Sequence, residues 1–258
     1  MSGAAHQPGA ELLIPADTPV HRMPPAPKVV ATVVFVLAVA FSPPRIFWPF
    51  LWYGLLLTIA IVLAQLPIRT LLRRLVVEIP FLLFALLLPF IGGAPHVHVL
   101  GVALSEHGLQ AAAMIGLKAS FGLLATGVLA ASTSLPDVIS GLEQLKLPRV
   151  LTTVASFMVR YTEMLLEEFN RLRTARACRG GDPRWLWQAR DVASCLSALF
   201  LRSLERGERV HLAMLSRGFT GTPPAALTAP LPARPVWAAA SVLPVLAIAG
   251  SLTARVLA

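Results

Sequence analysis

Long apolar runs separated by short polar breaks set the character of this chain. Ile46 to Leu66 carries no charge, Leu75 to Gly93 carries only Glu78, Leu109 to Ala131 carries only Lys118, and Val236 to Thr253 carries none. Each approaches the ~20 residues needed to cross a hydrocarbon core of ~30 Å. A fifth, shorter run from Val29 to Ser42 turns at Pro43-Pro44 into the next, and residues around Lys28 complete its lower end. The pattern predicts an all-α integral membrane protein with about five transmembrane helices. A bundle of about four spans occupies residues 29–133, and the final span occupies residues 236–258. Breaks at Pro67, Pro80 and Pro89 are tolerable where neighbouring helices receive the freed carbonyls.

Between residues 134 and 235 the pattern changes. Leu151, Val154, Phe157, Met158, Tyr161, Leu165, Phe169 and Leu172 recur at helical spacing, with Arg160, Glu163, Glu167 and Arg171 on other faces. This predicts an amphipathic helix of roughly 45 Å, ended by Gly180-Gly181. Asp182-Pro183 is a capping start for a second helix, whose apolar stripe runs from Val192 to about Gly207. A last segment, Glu208 to Arg217, stops at Gly218. These helices are expected to lie along the inner membrane surface, with charged sides toward the cytoplasm.

Charge fixes the orientation. The net charge of +9 is the mark of a positive cytoplasmic side, with no need for nucleic acid. With residues before the first span, after the second, and between 134 and 235 inside, 19 of the 22 Lys and Arg residues are cytoplasmic. The loop from Gly92 to Gly108 carries none and faces outward. Residues 1–28 are polar and proline-rich, which predicts an attached tail and not a signal peptide. Cys178 and Cys195 lie in the cytoplasmic stretch, where thiols stay reduced, and form no CxxC pair.

One motif occurs twice: Ala-x-x-x-Arg-Gly at Ala175–Gly180 and at Ala213–Gly218. A glycine just past a helix takes the left-handed conformation that ends it, so Arg179 and Arg217 are expected in final turns, reaching past the tips. An ordinary arginine there offsets the helix dipole for ~0.3–1 kcal/mol. Two matching copies point further, to a pair of plugs for acidic sockets, because guanidinium pairs bidentately with carboxylates. Within the spans, Ala112, Gly116 and Ser120 form a small-residue stripe that lets another helix approach. Lys118, about ten residues into its span, is expected to meet a carboxylate or freed carbonyl, and Glu78 to be wetted near the cytoplasmic end. His96, His98 and His107 with Glu106 form the one cluster with metal-ligand character. No HExxH, GxSxG, GxxxxGK[ST] or intramembrane Asp pair is present, so no catalytic residue, cofactor or metal site is assigned.

These residues resemble the transmembrane T subunits of energy-coupling-factor transporters, particularly the CbiQ-like subunits of cobalt and nickel systems. The resemblance runs from His21 to Gly221. It includes His21-Arg22-x-x-Pro25-x-x-Lys28, Leu104-Ser105-Glu106-x-Gly108-Leu109, Lys118-Ala119, Leu135-Pro136-Asp137, Gly141-Leu142-x-x-Leu145-x-Leu147-Pro148, Arg160-Tyr161, Cys178-Arg179-Gly180 and the block from Glu208 to Phe219. It implies a non-catalytic coupling subunit in a bacterial or archaeal cell membrane. Two ABC ATPase subunits, alike or different, each take one arginine tip, formed by Cys178, Arg179 and Gly180 or by Ser216, Arg217 and Gly218. Their closure on ATP moves the bundle, which tips a separate substrate-binding membrane subunit. Lys118 and Arg160 fall at coupling or packing positions. Cys178 departs from the smaller residue usual at its position. The competing reading is a stand-alone permease or receptor holding a metal ion through His96, His98 and His107.

Overall fold

Prolines mark where the apolar helices begin. In the computed structural model, residues 18–43, 46–67, 75–91, 96–99, 102–180, 189–221 and 233–256 are described. Thr18 caps a short helix α1 (Pro19–Arg22), its Oγ1 2.7 Å from His21 Nδ1. Helix α2 (Pro25–Ala40) and helix α3 (Trp48–Leu63) each carry proline in the first turn, where a missing N–H costs nothing. The third apolar run is not one helix. It divides into a 3₁₀ turn (Val76–Glu78), α4 (Ile79–Ala85) and α5 (Leu88–Ile91). Pro80 and Pro89 stand near the starts of α4 and α5, so they begin pieces and do not kink a continuous span.

Between α5 and the next helix lies a short antiparallel hairpin, β1 (His96–Val99) with β2 (Val102–Ser105), paired His96 to Ser105 and His98 to Ala103. Ser105 then caps α6 (Glu106–Ser132), its Oγ accepting from the Gly108 amide at 3.3 Å. A Cβ at Gly108 would sit 2.6 Å from the Leu88 carbonyl oxygen, so the Ser-Glu-x-Gly sequence both caps α6 and lets α5 close against it. After α7 (Leu135–Gln144) come α8 (Arg149–Cys178), α9 (Ala189–Ser216) and α10 (Arg234–Val256).

Among these, α6 and residues 234–255 of α10 are long and apolar enough to cross a membrane, and residues 25–40, 48–63 and 76–90 form shorter apolar helical segments. The chain is a predominantly helical membrane protein. It divides into two compact units, one of residues 12–141 and 230–258, the other of residues 142–229 with 1–11.

In the first unit, α10 packs on α2 and α3, while α2, α4 and α5 pack on α6. Tyr53 is fully buried at the centre, edge-on to Phe35 and Phe50, with its hydroxyl 3.0 Å from Ser42 Oγ. The small-residue stripe does serve packing here: a Cβ at Gly116 would meet Leu82 of α4 at 3.1 Å. Ser120, on the same stripe, donates its hydroxyl to both oxygens of Glu78 at 2.9 and 3.0 Å. Glu78 is only 4% exposed, which corrects the expectation of a wetted carboxylate. The 3₁₀ turn directs it toward α6, where Ser120 receives it.

In the second unit, α8 and α9 pair. The expected break at Gly207 is absent, and α9 runs unbroken through it to Ser216. An added Cβ there would touch nothing within 4 Å. One exposed glycine costs a helix about 1 kcal/mol relative to alanine, and its neighbours Glu205, Arg206, Glu208 and Arg209 favour the helix enough to carry it. The expected start at Asp182-Pro183 lies outside the described residues.

Candidate docking site: two capped helix tips

The α8–α9 pair is antiparallel. Glu168 of α8 forms an ion pair with Arg202 of α9, and one turn back Met164 meets Arg206, so one helix number rises as the other falls. The ion pair is largely exposed on the Arg202 side and fixes register more than stability. Much of the apolar stripe read from the sequence stays exposed, including Leu151, Val154, Met158, Leu196, Phe200 and Leu204. From that crossing, Arg179 lies eleven residues on along α8 and Arg217 fifteen residues on along α9. At 1.5 Å per residue, the path along the two helices from one tip through that crossing to the other is on the order of 40 Å.

Each tip is closed by its own backbone. Gly218 has φ +82°. Its N–H reaches the Leu215 carbonyl at 3.0 Å, and the Phe219 N–H reaches the Met214 carbonyl at 3.0 Å. These are the two bonds of a Schellman cap. Gly180 has φ +80°, and its N–H reaches the Ala177 carbonyl at 3.0 Å. An added Cβ at either glycine would meet nothing within 4 Å, so the glycine is there for backbone conformation and not for internal room. With the carbonyls satisfied this way, the arginines are not consumed in capping. They stand one residue beyond where the sequence suggested: the helices end at Cys178 and Ser216, and Arg179 and Arg217 follow. Both arginines are exposed.

Cys178, Gly180, Ser216 and Gly218 are exposed beside them, and Ser216 Oγ turns back to the Ala213 carbonyl at 2.9 Å. Each tip therefore presents an exposed guanidinium just past a capped helix end. Arg160 is exposed in the middle of α8, nineteen residues before Arg179, and joins neither tip.

Lys118 belongs to the other unit. Its Nζ donates to the Ala40 carbonyl at 2.8 Å and the Ser42 carbonyl at 2.9 Å, so it finds freed carbonyls and no carboxylate. Sequence reasoning missed two companions. Arg255 donates to the Phe41 carbonyl at 2.8 Å, completing a cationic closure of the α2 C-terminus. Lys28 donates to the Ser132 carbonyl at 3.1 Å and to Thr133 Oγ1 at 3.3 Å, at the end of α6. The sequence marks Lys28 only as the foot of a span and as one position of the family motif. His96 and His98 sit at alternate positions of β1, and His107 is exposed in the first turn of α6. Among the described residues no three His, Cys, Asp or Glu side chains group as metal ligands would.

Comparison with known proteins agrees with this architecture. Residues 16–226 match the model of the CbiQ family, described as cobalt transport protein. The chain is 31% identical over 222 residues to the energy-coupling factor transporter transmembrane protein EcfT of Thermanaerovibrio acidaminovorans, covering 81% of each. It is 28% identical over 221 residues to EcfT of Heliobacterium modesticaldum, covering 81% of this chain and 82% of that one. It is 31% identical over 124 residues to the cobalt transport protein CbiQ of Rhodobacter capsulatus, covering 47% of this chain and 50% of that one. The chain belongs to the CbiQ family, the transmembrane components of transporters of the energy-coupling-factor type.

Proposed function

We propose that this chain is the coupling subunit of an ATP-driven importer for cobalt or nickel ions. Residues 29–133 form a bundle of about four spans and residues 236–258 a fifth, with the N-terminal tail and residues 134–235 in the cytoplasm. Two ABC ATPase subunits dock from below, one on Arg179 and one on Arg217. ATP binding draws the ATPases together, and the α8–α9 hairpin converts their approach into movement of the bundle. A separate substrate-binding membrane subunit, held in the same lipid, is tipped by that movement. The chain itself hydrolyses nothing, needs no cofactor and binds no nucleic acid.

The observation that supports this reading best is the placement of two self-capped, exposed arginines at opposite ends of one hairpin. That arrangement suits two similar partners that move relative to each other. The metal assignment rests on family kinship with proteins named for cobalt transport.

Charge reversal tests it. Truncating or reversing one member of a desolvated charge pair typically costs ~2–5 kcal/mol. Arg179→Glu or Arg217→Glu should each weaken co-purification of the ATPases, and the double substitution should abolish it, with membrane insertion intact. Wild-type levels of co-purified ATPase and of uptake in the double variant would exclude the reading.

A further inference from the structure

Where the bundle hands the chain over to the cytoplasmic stretch, the fold is tied at two points. Helix α6 ends at Ser132, and Thr133 and Ser134 alone connect it to α7. A two-residue connector of this kind is a natural pivot. Yet Ser132 and Thr133 are 5% and 6% exposed, and the buried Lys28 ammonium sits over them. Its Nζ lies 3.1 Å from the Ser132 carbonyl, 3.3 Å from Thr133 Oγ1 and 3.3 Å from the His21 carbonyl. An ammonium has three protons to donate, and these three acceptors occupy all of them.

The second tie lies two turns further on. A Cβ at Gly141 of α7 would fall 2.9 Å from the Ala26 amide nitrogen and 3.0 Å from the Pro25 carbonyl carbon. Helix α7 therefore touches the backbone of the first turn of α2 without a side chain between them. Lys28 belongs to the same first turns of α2. Together the ammonium and the glycine contact bind α7 to α2, as well as to α6 through the chain.

We propose that Lys28 and Gly141 form a joint that makes the N-terminal end of α2 move with α7, so that displacement arriving along α7 enters the bundle through two helices. Lys28 is the positioning residue of this joint. Without it, α7 swings on the Thr133–Ser134 connector and the displacement is lost at the pivot. The inference rests on the coupling role proposed above, since it supposes that ATPase movement reaches α7.

The test is amide hydrogen exchange on the full chain co-expressed with its ATPase and substrate-binding subunits, with and without ATP. In the wild-type complex, nucleotide should change exchange over residues 25–34 and 135–141 together. Lys28→Met should keep the response over 135–141 and lose it over 25–34, and uptake of Co²⁺ per ATP hydrolysed should fall about tenfold, within the usual range of coupling strengths. Gly141→Ala should do the same, while Lys28→Arg should preserve part of the response. If Lys28→Met does not accumulate in membranes, Thr133→Val removes one acceptor at nearly constant shape and should weaken the response over 25–34. A merely structural lysine would lower protein yield and leave the two responses linked. Linked responses in every variant that accumulates overturn the joint. Failure of the wild-type chain to hold ATPases overturns the coupling role instead, so the two failures are distinct.

Discussion

The helix ends of the membrane unit and those of the α8–α9 hairpin meet the same physical demand in opposite ways. A helix C-terminus leaves carbonyls unsatisfied and carries partial negative charge. In the membrane unit, distant cations answer it: Lys118 and Arg255 close α2, and Lys28 closes α6. In the hairpin, the backbone answers it through left-handed glycines, and Arg179 and Arg217 are left standing in the open. Lys28, Ser132 and Thr133 are buried, so the α6 end needs a protein donor where water is kept out. At the exposed hairpin tips, water and a glycine cap suffice, which leaves both guanidinium groups uncommitted to capping. The comparison teaches that position near a helix end does not define a cation's role; what else satisfies the carbonyls does.

The sharpest way to break the comparison is to remove a cation from the membrane side. Lys118→Met should strand the Ala40 and Ser42 carbonyls and cost about 1–3 kcal/mol. The expected readout is a thermal unfolding midpoint in detergent lowered by several degrees, with ATPase association per folded chain unchanged. Equal loss of association would erase the distinction between the two kinds of end. A smaller effect of opposite sign should separate two glycines of α9 and its cap. Gly218→Ala forces a side chain into φ +82° and should cost about 1–2 kcal/mol at the tip, weakening recruitment without equalling charge reversal. Gly207→Ala, in open helix, should gain about 0.5–1 kcal/mol, checked by denaturant unfolding. The smallest change is expected from replacing His96, His98 and His107 together with alanine. Uptake of Co²⁺ by the complete transporter should stay within about twofold, since two alternate positions on a strand and one in the next helix do not make a metal site by spacing alone. Abolished uptake would favour a metal receptor in that loop.

What could be read from the sequence follows the distance over which each feature is determined. The two caps depend on a glycine and the turn before it, so Gly180 and Gly218 were legible, while the Ser105 cap of α6 emerged only from the structure. The amphipathic helix over residues 149–178 came from periodicity. Apart from the His21 carbonyl beside Lys28, the partners of Lys28, Lys118 and Arg255 lie 76 to 214 residues away along the chain, and no local pattern encodes them. Glu78 failed for a similar reason: its burial depends on a 3₁₀ turn that directs it at Ser120, 42 residues later. Gly207 misled because a glycine marks a helix end only when φ must be positive, and sequence alone does not reveal φ. The family motifs did contain the hidden signal, for Pro25 and Gly141 lie on the two sides of one contact and Lys28 stands one turn along from it.

Site-specific photocrosslinking in native membranes tests the central claim most directly. A photoreactive residue placed at 179 and, separately, at 217 should label the ATPase subunits, while one at the exposed mid-helix position 205 should label them weakly or not at all. Labelling of ATPases from 205 but from neither tip would contradict the docking of Arg179 and Arg217.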